Sequence, residues 1–201
     1  PFFDHYLKNP KSSYNLPEAY MFDTGKKEWK QFAEWPPKAA QKTQFYLREN
    51  GKFTTENPSS ASFTEYFSDP NKPVPSSENL KDFNGFTPRN YMSEDQRFAE
   101  NRPDVASFTT EILSDDITLA GEIKVKLKIA STGSDADFFV NLIDIYPADE
   151  KNSKEKPGVI YGNYHQMVRS DIMPARFRNY FEKLEALVLN QETVVVFKLQ
   201  D

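Results

Sequence analysis

The side chains best suited to covalent catalysis are scarce in this chain. It has two histidines, His5 and His165, and no cysteine among its 201 residues. A serine nucleophile needs a histidine within reach and a strained turn such as Gly-x-Ser-x-Gly to present it, and that motif is absent from the sequence. We expect His5 to lie in a helix, at the surface or at an interface, and His165 to lie on a strand. The chain is predicted to contain no catalytic residue and to be inactive by itself.

Three carboxylates could instead suggest a cation site, because hard cations are bound by several oxygen ligands. Asp135, Asp137 and Asp144 lie close together in the sequence, but their spacing is not that of an EF-hand loop. The alternative is that Asp135 and Asp137 cap a turn by accepting local backbone amides. We expect this alternative, and we predict neither a metal nor a cofactor.

Two further groups of residues allow a functional and a structural interpretation. Trp29, Phe32 and Trp35 could form a sugar-stacking platform, as in carbohydrate-binding modules, or they could make core or interdomain contacts. We expect the contacts. Residues 68–104 form a long aromatic-rich segment, here called the central loop. Its charged residues Arg97, Arg102 and Asp104 are expected to form buried or interface ion pairs that hold it in place.

Composition excludes several classes of partner. The net charge is −5 and no basic stripe occurs, so the electrostatic footprint of a nucleic-acid binder is missing. No apolar run is long enough to cross a bilayer. The absence of cysteine fits the cytosol and the periplasm equally. The compartment stays open, with the periplasm or secretion favoured over the cytoplasm.

The elements that must position these residues are mostly short strands. Residues 123–129 alternate apolar and lysine side chains, which is typical of a half-buried antiparallel strand. Residues 138–146 are apolar on both faces and are predicted to lie centrally in a sheet. Asn50-Gly51 predicts a tight hairpin, residues 1–8 a helix, and residues 175–187 an irregular connection. Further strands are expected at residues 19–22, 44–48, 63–67, 107–110, 117–119, 161–169 and 193–199. The sequence thus predicts a mainly β protein, a jelly-roll β-sandwich with a short N-terminal helix and long loops.

Several blocks of sequence resemble one family of serine hydrolases in the family's own order. This family contains cocaine esterase, α-amino acid ester hydrolases, Xaa-Pro dipeptidyl peptidases and enzymes described as glutaryl-7-aminocephalosporanic acid acylases. The amino acid ester hydrolase branch is the most similar. The matching blocks include Pro1-Phe2-Phe3-Asp4-His5-Tyr6-Leu7, Phe22-Asp23-Thr24-Gly25, Tyr66-Phe67-Ser68-Asp69-Pro70, Arg102-Pro103-Asp104-Val105, Ser134-Asp135-Ala136-Asp137-Phe138 and Arg176-Phe177-Arg178. Leu184 and Ala186 depart from the pattern, since prolines are expected there.

The resemblance implies a division of labour. Members of the family have an α/β-hydrolase domain with a Ser-Asp-His triad, a helical cap and a C-terminal jelly roll, and this chain resembles the jelly roll. The triad is expected upstream of Pro1. In the resembling enzymes a jelly-roll loop reaches the mouth of the active site, and the corresponding loop here is residues 79–98. Phe86, Tyr91 and Met92 are therefore predicted to form one wall of the acyl pocket, where burial of a ring would favour aromatic acyl groups. The alternative is that they only pack under their own loop or against the catalytic domain.

The resemblance also implies boundaries and partners. Residues 1–17 are expected to be the end of a helix and a linker from the upstream α/β-hydrolase domain, and residues 18–201 the jelly-roll domain, truncated at its C-terminus. Such a domain would brace the catalytic domain. An open sheet edge would also favour pairing with a second copy. The alternative from another class is a free-standing jelly-roll carbohydrate-binding module.

Overall fold

A computed structural model describes residues 2–11, 15–79 and 91–199. The chain divides into two compact units. The first comprises Pro1–Thr43 with Asp115–Gly121, and the second comprises Gln44–Ser114 with Glu122–Asp201. No helix in the described ranges has the length and apolar character that a bilayer crossing requires.

Among its described residues, the first unit contains the short helix Asp4–Lys8 and a β-hairpin. Strand β1 (Ala19–Asp23) pairs antiparallel with β2 (Glu28–Phe32). Asp23 organises the turn between them, because its Oδ1 accepts the Lys26 amide at 2.9 Å and its Oδ2 lies 2.6 Å from Lys30 Nζ. The β1–β2 hairpin is therefore fixed at its tip by one carboxylate.

The second unit opens with a smaller hairpin. Strand β3 (Tyr46–Arg48) pairs with β4 (Lys52–Thr54) across the 3-10 turn Glu49–Gly51. Asn50 and Gly51 both have positive φ, 59° and 67°, which is the backbone that this dipeptide tolerates well. The predicted hairpin is confirmed.

Two antiparallel ladders enclose the core of the second unit. Strand β5 (Ile123–Ile129) pairs with β8 (Thr193–Leu199), and β6 (Asp137–Ile145) pairs with β7 (His165–Pro174). Between them lie the buried side chains of Met173, Val195, Phe197 and Leu199, against which the inward face of β5 packs. Helix α1 (Arg97–Glu100) and the 3-10 turn Ala175–Phe177 complete the described elements.

The mainly β class is confirmed, and the jelly-roll connectivity stays a prediction. The expected strands at residues 123–129 and 193–199 and the irregular connection at 175–187 are confirmed. The strands predicted at residues 63–67, 107–110 and 117–119 are wrong, since only Thr109 makes an isolated bridge, to Lys52. The central position of residues 138–146 is also wrong in the described ladders, because β6 pairs only with β7 and Phe139 is 72% exposed.

Candidate functional site

Two of the three residues predicted to form the pocket wall lie in the described part of the chain. Tyr91 is 39% exposed and Met92 is 58% exposed. Phe86 lies outside the described residues, in the range 80–90. The described part of the candidate site therefore begins at Tyr91.

The segment 92–96, here called the stem, is hydrogen-bonded to the start of β7. The Tyr164 hydroxyl donates to the Ser93 carbonyl at 2.5 Å, over a separation of 71 residues. The other contacts join neighbouring residues of both segments. They are His165 N to Asp95 Oδ1 at 3.2 Å, Gln96 N to His165 O at 3.0 Å, and Gln166 Nε2 to Met92 O at 3.3 Å.

Glu94 connects the stem to the chain on the other side of the loop. Its Oε1 accepts the amide of Glu78 at 3.2 Å. Ser77 is buried, and its Oγ accepts the amide of Asn79 at 3.2 Å. Residues 78 and 94 are therefore neighbours in space, so both sides of the predicted wall loop are anchored at one place.

Asp95 is the electrostatic centre of the stem. Partial burial raises its pKa, but hydrogen bonds from the Arg97 guanidinium and from the amides of Arg97 and His165 outweigh burial. The net result is a pKa below the ordinary value of 3.8. An ionised Asp95 therefore joins α1 to β7, since Arg97 begins the helix and His165 begins the strand.

Tyr164, which binds the stem, packs against two further tyrosines. The ring of Tyr164 lies 5.3 Å from that of Tyr161 and 5.9 Å from that of Tyr146, measured between centroids. Tyr164 is only 7% exposed. Burial, with a further contribution from the nearby Asp95 charge, raises the pKa of the Tyr164 hydroxyl. This hydroxyl stays protonated at neutral pH and acts as a donor.

The histidines occupy the elements that the sequence predicts. His5 lies in the first helix, and His165 is the buried first residue of β7. His165 Nε2 is 3.8 Å from Glu100 Oε2, a carboxylate rather than a nucleophilic hydroxyl. The surroundings of His165 therefore suit a structural residue.

Asp135 and Asp137 were expected to accept local backbone amides, and this prediction is wrong. Their partner is Arg176, which lies 39 to 41 positions further along the chain. Both carboxylates accept from Arg176 Nη1, at 2.6 Å and 2.9 Å, and Asp135 also accepts the Arg176 amide. The two aspartates therefore join β6 to the turn after β7. Ion pairs of the central loop are present, since Arg102 pairs with Asp104 through two hydrogen bonds and Arg97 pairs with Asp95. Their side chains are partly exposed rather than buried.

The three residues considered as a sugar platform do not share a surface. Phe32 packs on Trp35 with ring centroids 5.5 Å apart, whereas Trp29 packs on Tyr20 and Phe22 at 4.9 Å and 5.3 Å. Trp29 and Phe32 are three residues apart in β2, so they point to opposite faces. Trp29 is 59% exposed, and with Tyr20 and Phe22 it forms an outward aromatic face on the β1–β2 hairpin.

A cleft of about 500 Å³ opens beside β7 and β8. Its walls include Met173, Phe177, Phe181 and Phe197. Neither Tyr91 nor Met92 lines it.

Sequence reasoning missed the residues that hold the stem. Tyr164, Gln166 and Glu94 act through contacts that span 16 to 74 positions. The one available signal was that residues 163–167 of a predicted strand combine three polar side chains with a tyrosine. That signal does not identify the partner segment.

Comparison with known proteins gives a consistent result. Residues 14–200 match the family model described as the X-Pro dipeptidyl-peptidase C-terminal non-catalytic domain. A cocaine esterase from Rhodococcus sp. (strain MB1 Bresler) is 32% identical over 157 residues, which cover 73% of this chain and 27% of the esterase.

Solved structures agree over almost the full length. An aminopeptidase from the marine sediment archaeon Thaumarchaeota archaeon has a TM-score of 0.86 and 32% identity, covering 99% of this chain and 32% of its own. A selenomethionine-labelled α-amino acid ester hydrolase has a TM-score of 0.82 and 33% identity, covering 99% and 33%. This chain thus spans a third or less of the length of these relatives.

Proposed function

Because this chain belongs to the X-Pro dipeptidyl-peptidase C-terminal non-catalytic domain family, we propose that it is the accessory β-domain of a serine ester or amide hydrolase. The catalytic triad would lie in an α/β-hydrolase domain of the same polypeptide. That polypeptide is here called the parent hydrolase. In this proposal the accessory domain braces the catalytic domain and supplies one wall of the acyl pocket.

The observation that carries the wall proposal is the combination of a fixed backbone with exposed side chains. The stem makes four hydrogen bonds to residues 164–166, so the backbone beside Tyr91 is held in place. The side chains of Tyr91 and Met92 are nevertheless exposed. Surfaces of this kind are suited to recognition, because little conformational entropy remains to be lost on binding.

The wall proposal predicts a selective loss of affinity for aromatic acyl groups. In the parent hydrolase, Tyr91→Ala with Met92→Ala should raise KM for a phenylacyl ester by about five- to twentyfold, as expected for the loss of some 40–70 Å² of apolar burial. KM for the corresponding acetyl ester should stay within about twofold, because its methyl group does not reach the wall.

Tyr180→Ala supplies the matched control. Tyr180 is an exposed tyrosine of the same unit, outside the stem. Its removal should leave the phenylacyl-to-acetyl ratio of kcat/KM unchanged. An equal effect of the control and the wall variants, or no effect of either, would remove the wall proposal.

The bracing proposal is supported by the aromatic face of the β1–β2 hairpin. Isolated two-stranded hairpins are marginal in water, and this one presents Tyr20, Phe22 and Trp29 outward. A neutral aromatic surface gains most when another protein surface covers it. Indole emission assigned by Trp29→Phe difference spectra should shift to the blue in the parent hydrolase relative to the chain alone. An unshifted spectrum would argue against docking here.

We also propose self-association of the chain alone through an open sheet edge. In the described ladders each strand is paired on one side only, and unpaired edges favour strand addition by a second copy. Sedimentation velocity should show a mean mass that rises with protein concentration. A monomer across the whole accessible range would be incompatible with this proposal.

A further inference from the structure

We infer that Tyr164 is a positioning residue for the acyl pocket, acting through its hydroxyl on the stem that precedes α1. This inference rests on the proposed function for its link to substrate. It goes beyond the proposed wall because it names the residue that fixes the backbone next to Tyr91 and Met92.

The first step is the contact itself. Tyr164 donates to the Ser93 carbonyl, which is the first carbonyl after Met92. A backbone carbonyl held one residue from a wall side chain restricts where that side chain can lie. The hydroxyl comes from a buried ring, so its own position is fixed by packing rather than by solvent.

The second step is the rigidity of the donor. The Tyr164 ring contacts Tyr146 and Tyr161, and the Tyr164 carbonyl accepts the Tyr146 amide at 2.9 Å. Tyr146 follows the end of β6, and Tyr164 precedes the start of β7. The donor is thus fixed to both strands of one ladder.

The third step is the direction of the other stem contacts. His165 and Gln96 fix the side of the stem that leads into α1 through Asp95 and the His165 carbonyl. Tyr164 and Gln166 bind the carbonyls of Ser93 and Met92, next to the wall residues, and the Gln166 amide is shared with the Met167 carbonyl at 3.1 Å. Of these two contacts, the Tyr164 hydroxyl makes the shorter hydrogen bond and comes from the more buried side chain, so we assign it the positioning role.

The test compares Tyr164→Phe with Tyr161→Phe in the parent hydrolase. Each variant keeps its ring and loses one hydroxyl, but only Tyr164 donates to the stem. We expect Tyr164→Phe to speed amide exchange of residues 92–96 by about fivefold, as for the loss of one buried hydrogen bond. KM for the phenylacyl ester should rise by a similar factor, with kcat and the acetyl ester unchanged.

The outcomes separate this inference from the proposed function. Faster exchange without a change in acyl preference would overturn the positioning role, while the Tyr91 and Met92 variants would still report on the wall. Equal behaviour of the Tyr164 and Tyr161 variants would overturn it as well. Absence of ester turnover by the unaltered parent hydrolase would overturn the proposed function and the substrate role together. Gln166→Leu, which removes the other bond near Met92, should shift acyl preference in the same direction.

Discussion

At the scale of single residues, Asp95 makes the stem sensitive to acid. Its folded-state pKa lies below the ordinary value of 3.8, because hydrogen bonds from Arg97 and His165 outweigh burial. A lowered folded pKa stabilises the protein at pH values above the unfolded pKa, and that stability is lost as pH falls through the folded pKa. The stem should therefore loosen below about pH 4.

Asp95→Asn should remove this part of the pH dependence. Free energies of unfolding from urea titrations between about pH 6 and pH 2 should fall less steeply with acid in Asp95→Asn than in the wild type. Asp149→Asn, in the exposed loop after β6, should keep the wild-type slope. Parallel curves for the wild type and Asp95→Asn would show that ionisation of Asp95 is not linked to folding.

At the scale of elements, β8 separates a core face from a solvent face within one strand. Val195, Phe197 and Leu199 are buried, whereas Val194 and Val196 are exposed. Period-two alternation in an antiparallel strand produces this division. Strand β5, which pairs with β8, has the same alternation, with lysines on its outer face.

Val195→Ala should cost about 2 kcal/mol of unfolding free energy, because it leaves a cavity at a position with 0% exposure. Val194→Ala removes the same atoms from the outer face and should cost less than about 0.5 kcal/mol. Chemical denaturation of both variants provides the comparison. Equal costs would mean that the two ladders do not enclose a core at this point.

The same division explains which elements could be predicted. β5 and β8 have a clean alternation that survives folding, and Asn50-Gly51 encodes its own turn. Residues 63–67 and 117–119 are apolar enough for strands but find no partner strand in the described chain. β2 is not predicted, because its apolar residues Trp29 and Phe32 are three positions apart and lack the period-two alternation of a half-buried strand.

At the scale of the whole molecule, the candidate site could be predicted only in its side chains. Tyr91 and Met92 are predicted as wall residues from the resemblance to a serine hydrolase family, and this role stays a proposal. The contacts that fix them come from Tyr164, Gln166 and Glu94, across long stretches of chain. Local patterns determine strands and turns, but long-range hydrogen bonds depend on how the elements come together.

Exposed apolar side chains also suggest that this chain acts together with more protein. Large hydrophobic residues are exposed in both units, among them Phe3, Trp29, Phe67, Phe139 and Phe181. Burial of each of these side chains against another protein surface would contribute roughly 1–2 kcal/mol of binding free energy. The proposed docking on a catalytic domain would cover part of this surface.

The most direct test of the account is an activity comparison between this chain and the parent hydrolase. Both would be assayed at equal molar concentration with p-nitrophenyl esters of a phenylacyl and an acetyl group, and with an Xaa-Pro anilide. We predict turnover by the parent hydrolase and none above buffer by this chain alone. Turnover by the isolated chain that is abolished by changing one of its own serines would contradict the account.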